Sequence, residues 1–385
     1  MEDFSDLEAI GSAIGEKRIV LLGEQSHGDR LTMAAKSRLI KYLYLKKGFD
    51  VVLFEADFFA LHQLTQQPLP TIKAAIYPFW SQTAVMEAFW TFVANTQNSN
   101  RPIEIAGIDT RFYANYSKQQ LIPQLDHLLQ RFHPSYLQKA NYQSFKTILQ
   151  DLLKNEYAAK HSKKEQATFR NTLAELKELL PKEAFWLQVF HNLGKASYAI
   201  WNPYYFSYRE KTMGDNFNWL MDNYFPQRKV ILWAHNQHIL KDRAITLPFF
   251  EQYQEQADTL LQKDFFTEAG AEISKKWKSE VYSIAFISYD GQHSNFVDAV
   301  THPSNFVMDQ FLKHLPIPPA SAQSLEYQLA QQQKEYLFLP LQHLKVPTYT
   351  AKVLSYYPPF EIKTQWNKGF DAFFFIRTME GFKQD

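Results

Sequence analysis

The chain has 385 residues, of which 45% are hydrophobic and 16% aromatic, with a formal charge of +1. Such a balance supplies a sizeable core and leaves no basic field for a nucleic acid partner. The absence of cysteine excludes disulfides, thiolate nucleophiles and cysteine-ligated zinc, and no apolar stretch approaches the roughly 20 residues of a membrane span.

The opening segment "MEDFSDLEAI" is acidic and lacks the basic start and apolar centre of a signal peptide, so a cytoplasmic location is expected. The first strand-length apolar run is Ile19–Leu22, closed by Gly23. Glu24 and His27 follow, and Gly28 comes directly after the histidine. The two glycines are expected to make a tight turn of unusual backbone conformation. Leu31–Lys46 then carries apolar residues at Leu31, Ala34, Ala35, Leu39, Tyr42 and Leu43, a helical rhythm. Val51–Phe54 is the second apolar run, with Glu55 and Asp57 beyond it, and Thr83–Asn95 again reads as helix. The third run, Ile103–Ala106, leads into "GIDTR" with Asp109 and Arg111.

Residues 117–225 show no strand and read as successive helices, with the mixed charges of 154–184 on a solvated face. Within this block "SYREKTMGDN" sets Arg209 and Asn216 seven positions apart on one helix face, where a solvated, salt-bridged surface is the plain expectation. Val230–Trp233 is the fourth run, followed in "WAHNQH" by His235, Asn236 and His238. The aromatic stretch 241–270 is a candidate lid, with Phe249, Phe250 and Phe265 as wall residues. Val281–Ile287 and Ala372–Ile376 complete the set.

These runs are continuous rather than alternating, and helices separate them. That pattern predicts an α/β fold with a mostly parallel central sheet flanked by helices. The expected organisation is an α/β catalytic core over 1–116 and 226–385, with a helical insertion over 117–225 capping the carboxyl edge of the strands. Ligands of open parallel sheets bind at that edge. Four strands deliver ionisable groups there: Glu24 and His27, Glu55, Asp109, and His235 with His238. Glu24 would also suit the cap of the next helix.

No G-x-S-x-G elbow, Walker A loop or paired-glycine dinucleotide loop occurs. Histidines and carboxylates can activate a water by general-base catalysis, a carboxylate orienting the imidazole. The same groups could ligate a divalent metal, although E-x-x-H in a turn is not the helical H-E-x-x-H of zincins. A non-catalytic protein binding haem, iron or another ligand is the third reading. Oligomeric state is not legible in the sequence.

Several of these segments, in this order, resemble the erythromycin esterase family. "LLGEQSHG" is similar to its G-E-x-x-H-G, "VVLFEAD" to its strand ending in glutamate, and "GIDTRFY" to its G-x-D segment. "REKTMGDN" resembles its R-[DE]-x-x-M-x-x-N helix and "VILWAHNQHI" its W-A-H-N-x-H. "GAEISKKWKSEVYSIAFISYDG" and "FDAFFFIRTMEG" resemble its later helix and strands. The resemblance implies hydrolysis of an ester, in named members the macrolactone of macrolide antibiotics, without a metal or other cofactor and without a covalent intermediate. It implies His27 as the base, surrounded by Glu24, Glu55 and His235. Arg209, Lys36, His238, Asn236 and Asp109 are the expected substrate contacts, for a small-molecule ester or lactone. Nine residues after His27 the macrolide-active members usually have arginine; Lys36 keeps the charge and lacks the planar fork.

Overall fold

A computed structural model describes residues 2–155, 159–201, 205–246, 267–295, 314–344, 348–354 and 361–382. Its main sheet contains β1 (Ile19–Leu22), β2 (Val51–Asp57), β3 (Glu104–Asp109), β4 (Val230–Trp233), β5 (Val281–Ser294), β6 (His314–Ile317), β7 (Tyr336–Pro340) and β10 (Ala372–Met379). The pair β8 (Tyr349–Ala351) and β9 (Ile362–Thr364) forms a separate two-stranded sheet. The order across the main sheet is β3-β2-β4-β1-β5-β10-β7, with β6 on the late part of β5. The pairs from β3 to β10 are parallel, whereas β7 and β6 run antiparallel to their neighbours.

The chain leaves β1 toward β2 and β3, returns to place β4 beside β1, and then continues on the other side with β5 and β10. The direction of winding therefore reverses between β4 and β1. A reversal of this kind opens a crevice at the carboxyl ends of the strands.

The apolar runs are the strands, as their two-sided burial requires. Two of them carry carboxylates beyond their apolar residues. Glu55 and Asp57 lie inside β2, Asp109 ends β3, and Asp57 pairs with Asp109 across an irregularity in the ladder. The first long helix is Arg30–Tyr42, continued by a wider turn over Leu43–Lys47 that Gly48 ends with a left-handed φ of 80°.

Among the described residues five α-helices occupy the stretch between β3 and β4: Asn115–Phe132, Ala140–Asn155, Lys163–Leu179, Ala184–Trp201 and Tyr205–Asn223. Lys163–Leu179 begins at a capping box made by Ser162 and Glu165 and buries Phe169, Leu173 and Leu176, leaving most of its charges outside. These helices share one core with a face of the sheet: Leu121, Phe169, Phe190 and Phe217 belong to the same cluster as Ile19, Leu53 and Leu232. Val20, Val52, Phe54, Ile231 and Trp233 point to the opposite face, where Arg30–Tyr42 and Ala84–Thr96 cover them. Each buried large side chain in these layers contributes about 1.5–3 kcal/mol. Among the described residues no helix is long and apolar enough to cross a membrane. Phe249, Phe250 and Phe265, with most of the candidate lid, lie outside the described residues.

Candidate active site

The loop after β1 is sewn to its neighbours by main-chain hydrogen bonds. Gly23 N–H donates to the Ile284 carbonyl at 2.9 Å, and Asn236 N–H donates to the Glu24 carbonyl at 2.8 Å. The two glycines of the motif are required by proximity and not by backbone angle, contrary to the sequence expectation. Neither has a positive φ. A Cβ at Gly23 would lie 1.9 Å from Asn236 Oδ1, and one at Gly28 would lie 1.9 Å from the Ser294 carbonyl oxygen.

This packing leaves His27 partly exposed at the carboxyl ends of the strands. Its side chain is 16% exposed. The ring stacks on Phe79 with centroids 4.5 Å apart and meets the edge of Trp80 at 5.2 Å. Nδ1 stands 2.7 Å from Glu24 Oε1. An ionised carboxylate only accepts, so Nδ1 carries the proton and Nε2 carries the lone pair. Among the described residues no hydrogen bond occupies Nε2.

Glu24 is fully buried and satisfied on both oxygens. Its Oε2 accepts from Lys36 Nζ and from Trp233 Nε1, each at 2.8 Å. Burial alone would raise its carboxyl, but Lys36 and then His27 outweigh burial and hold it below its ordinary range. It does not cap the helix that follows, which begins after Asp29.

Lys36, expected to touch substrate, is fully buried behind Glu24. Its ammonium lies 4.7 Å from the Trp233 ring centroid and 5.9 Å from that of Phe286. Burial draws it down to about 8 against the pull of Glu24. Asn236, a second expected contact, is also enclosed. It donates to the carbonyls of Phe286 and Val353, each at 2.8 Å, and so ties β4 to β5.

A second charged group lies beside the first. Arg209 Nε and Nη2 grip Asp109 at 3.0 and 2.7 Å, and Nη2 also donates to Glu55 at 2.7 Å. Far from lying on a solvated helix face, Arg209 and Asn216 are buried, and Asn216 donates to the Ile108 carbonyl at 2.9 Å. His238 is paired on both nitrogens, with Glu55 at 2.9 Å and Glu210 at 2.6 Å. Burial would lower its imidazole, but Glu210 and Glu55 push it up to about 10, so it is a cation at neutral pH. Burial likewise opposes ionisation of Glu55, and His238 followed by Arg209 brings that carboxyl well below its ordinary range.

His235 stands between the two groups, 5.8 Å from the His27 ring and 5.9 Å from that of His238. Its Nε2 is 2.8 Å from the Gln25 carbonyl and therefore donates, while Nδ1 accepts from Gln237 N–H at 3.2 Å. Burial, then the charges of His27 and His238, hold it down to about 3. Both nitrogens are hydrogen-bonded, which fixes the tautomer and the ring. Its backbone N–H donates to Glu55 Oε2 at 3.3 Å.

The structure thus gathers Glu24, His27, Glu55, Asp109, Arg209, His235 and His238 at the switch point. Asp57 instead caps the helix Phe58–Gln63 through Ala60 N–H, and burial raises its carboxyl to about 7. Glu210 was not singled out, although it stands at the acidic position of the R-[DE]-x-x-M-x-x-N helix. Among the described residues no three His, Asp or Glu side chains converge as a metal site.

A mostly parallel α/β sheet with a carboxylate-held imidazole at its switch point has the groups that activation of a water in a hydrolase requires. The model of the erythromycin esterase family matches residues 45–379, and the chain belongs to that family. It is 25% identical over 380 residues to "Putative hydrolase YbfO" of Bacillus subtilis (strain 168), spanning 88% of this chain and 78% of that protein. The fold is shared with a succinoglycan biosynthesis protein (TM-score 0.74, 18% identity, 99% and 93% of the two chains). It is also shared with a mutant of the erythromycin esterase EreC in its open conformation (TM-score 0.70, 15% identity, 100% and 96%).

Proposed function

We propose that this protein hydrolyses a carboxylic ester or lactone by direct attack of a water molecule activated by His27. The observation that carries this reading is the 2.7 Å contact between Glu24 and His27 Nδ1, which leaves Nε2 as a base at the crevice. Nε2 takes a proton from water, and the resulting hydroxide adds to the ester carbonyl. The tetrahedral intermediate collapses, its alkoxide leaves, and the proton on Nε2 passes to that oxygen. The products are a carboxylic acid and an alcohol, or one hydroxy acid from a lactone. Arg209, as the family resemblance implies, would help bind or polarise the substrate beside the cationic His238. Asp109, Glu55 and Glu210 fix both cations in position.

The family supports a macrolactone as the first substrate to try. Purified protein should be incubated with several macrolides, simpler lactones and short-chain esters, and the products weighed by mass spectrometry. Gain of one water on at least one of them, absent with His27→Ala, is expected. No gain on any member of the panel would count against ester hydrolysis.

A further inference from the structure

We infer that Lys36 is the positioning residue of the His27 base: its buried ammonium fixes one oxygen of Glu24, aims the other at Nδ1, and opposes the imidazolium. This rests on the reading of His27 as the general base. The geometry is a relay through one carboxylate. Lys36 Nζ and Trp233 Nε1 both donate to Oε2, so the carboxylate cannot rotate, and Oε1 is left facing His27. Phe79 and Trp80 hold the ring that receives it.

Charge counting gives the electrostatic consequence. With His27 neutral, Glu24 and Lys36 form a balanced buried pair. Protonation of His27 adds a positive charge within one carboxylate's width of a cation that water cannot screen. Without Lys36, the same protonation would neutralise an isolated carboxylate and become favourable. A base that works at neutral pH must stay deprotonated there, and the lysine acts in that direction. Other charges face the group as well. Glu24, Asp29 and Glu55 act on Lys36, and His235 and Glu55 lie near His27. Glu55 is itself balanced by Arg209 and His238.

The test follows the His27 ring by nitrogen NMR through a pH titration, alongside the pH profile of kcat/KM, in the wild type, Lys36→Met and Lys36→Arg. Wild type should carry its neutral-form proton on Nδ1. In Lys36→Met the His27 midpoint and the acid limb of the profile should both move up by about one pH unit or more, a roughly tenfold loss of rate below the limb. Lys36→Arg, which keeps the charge, should return both toward wild type. An unmoved midpoint in folded Lys36→Met would overturn the inference. If Lys36→Met fails to fold, the wild type still decides. Its neutral His27 ring should carry the proton on Nδ1, facing Glu24, and a proton found on Nε2 would overturn the inference. A shifted NMR midpoint in a protein that cleaves no ester would support the relay and reject the hydrolase reading.

Discussion

Glu24 receives three hydrogen bonds with no solvent contact, so its replacement separates charge from shape. Glu24→Gln keeps the size, removes the negative charge and leaves Lys36 buried without its counterion. Breaking a buried pair from one side costs about 3–5 kcal/mol. A denaturant midpoint should register a loss of that order, and the rate should fall as well because a neutral amide orients the imidazole less strongly. Unchanged stability would mean that Lys36 finds another anion. Glu24, His27, Glu55, Asp109, His235 and His238 stand out in the sequence because each sits at or near the end of an apolar run, whereas Arg209 and Lys36 lie in helices and entered only with the resemblance. Their division of labour does not stand out. Lys36 reads as a substrate contact until Trp233 and Phe286 are seen to enclose it. His235 is a neighbour of the base in the sequence, and only the structure shows Gln25 and Gln237 taking both its nitrogens. Burial and tautomer depend on groups brought from distant segments, which no local spacing encodes.

The turn between β1 and the helix Arg30–Tyr42 depends on glycine for close packing. Gly28→Ala would drive a Cβ into backbone atoms of Ser294, which cannot rotate away. Overpacking of this kind typically costs about 1–3 kcal/mol, and since Gly28 adjoins His27, turnover should fall with it. Gly194 provides the matched comparison. It lies within the helix Ala184–Trp201, and a Cβ there would meet Leu173 Cδ1 at an ordinary 3.8 Å. Gly194→Ala should stabilise by up to about 1 kcal/mol, the helix propensity difference. Equal behaviour of the two variants in thermal unfolding would reject the packing explanation for Gly28. The strands and the helical character of residues 117–225 could be read from apolar patterning. The extension of β2 and β3 through Glu55 and Asp109 could not, since these carboxylates stay in the sheet only because Arg209 and its neighbours neutralise them.

Across the whole molecule, the buried histidines couple folding to pH in opposite directions. His238 binds its proton more tightly in the folded chain, where its value is about 10 against an ordinary 6.5. Its stabilisation is therefore complete below about 6.5 and is lost as pH rises through about 10. His235 has a folded value near 3, so on acidification from about 6.5 the unfolded chain takes that proton first and stability falls toward pH 3. Lys36, at about 8 in the folded chain against an ordinary 10.5, works against the His238 loss above pH 8. The difference in unfolding free energy between wild type and His238→Gln should thus shrink steadily from pH 6.5 to 8. A difference that stays constant over that interval would show that His238 is not protonated in the native state.

His27 is the centre of the proposed chemistry, its Nε2 being the base that the fold, the turn and Glu24 together present. The most direct measurement is turnover of the best ester or lactone by wild type and by His27→Ala, at saturating substrate, with folding checked by circular dichroism. Losing a general base typically lowers the rate by roughly 100- to 10,000-fold, and a loss in that range with substrate binding largely retained is expected. A folded His27→Ala protein that turns over substrate at the wild-type rate would contradict His27 as the base.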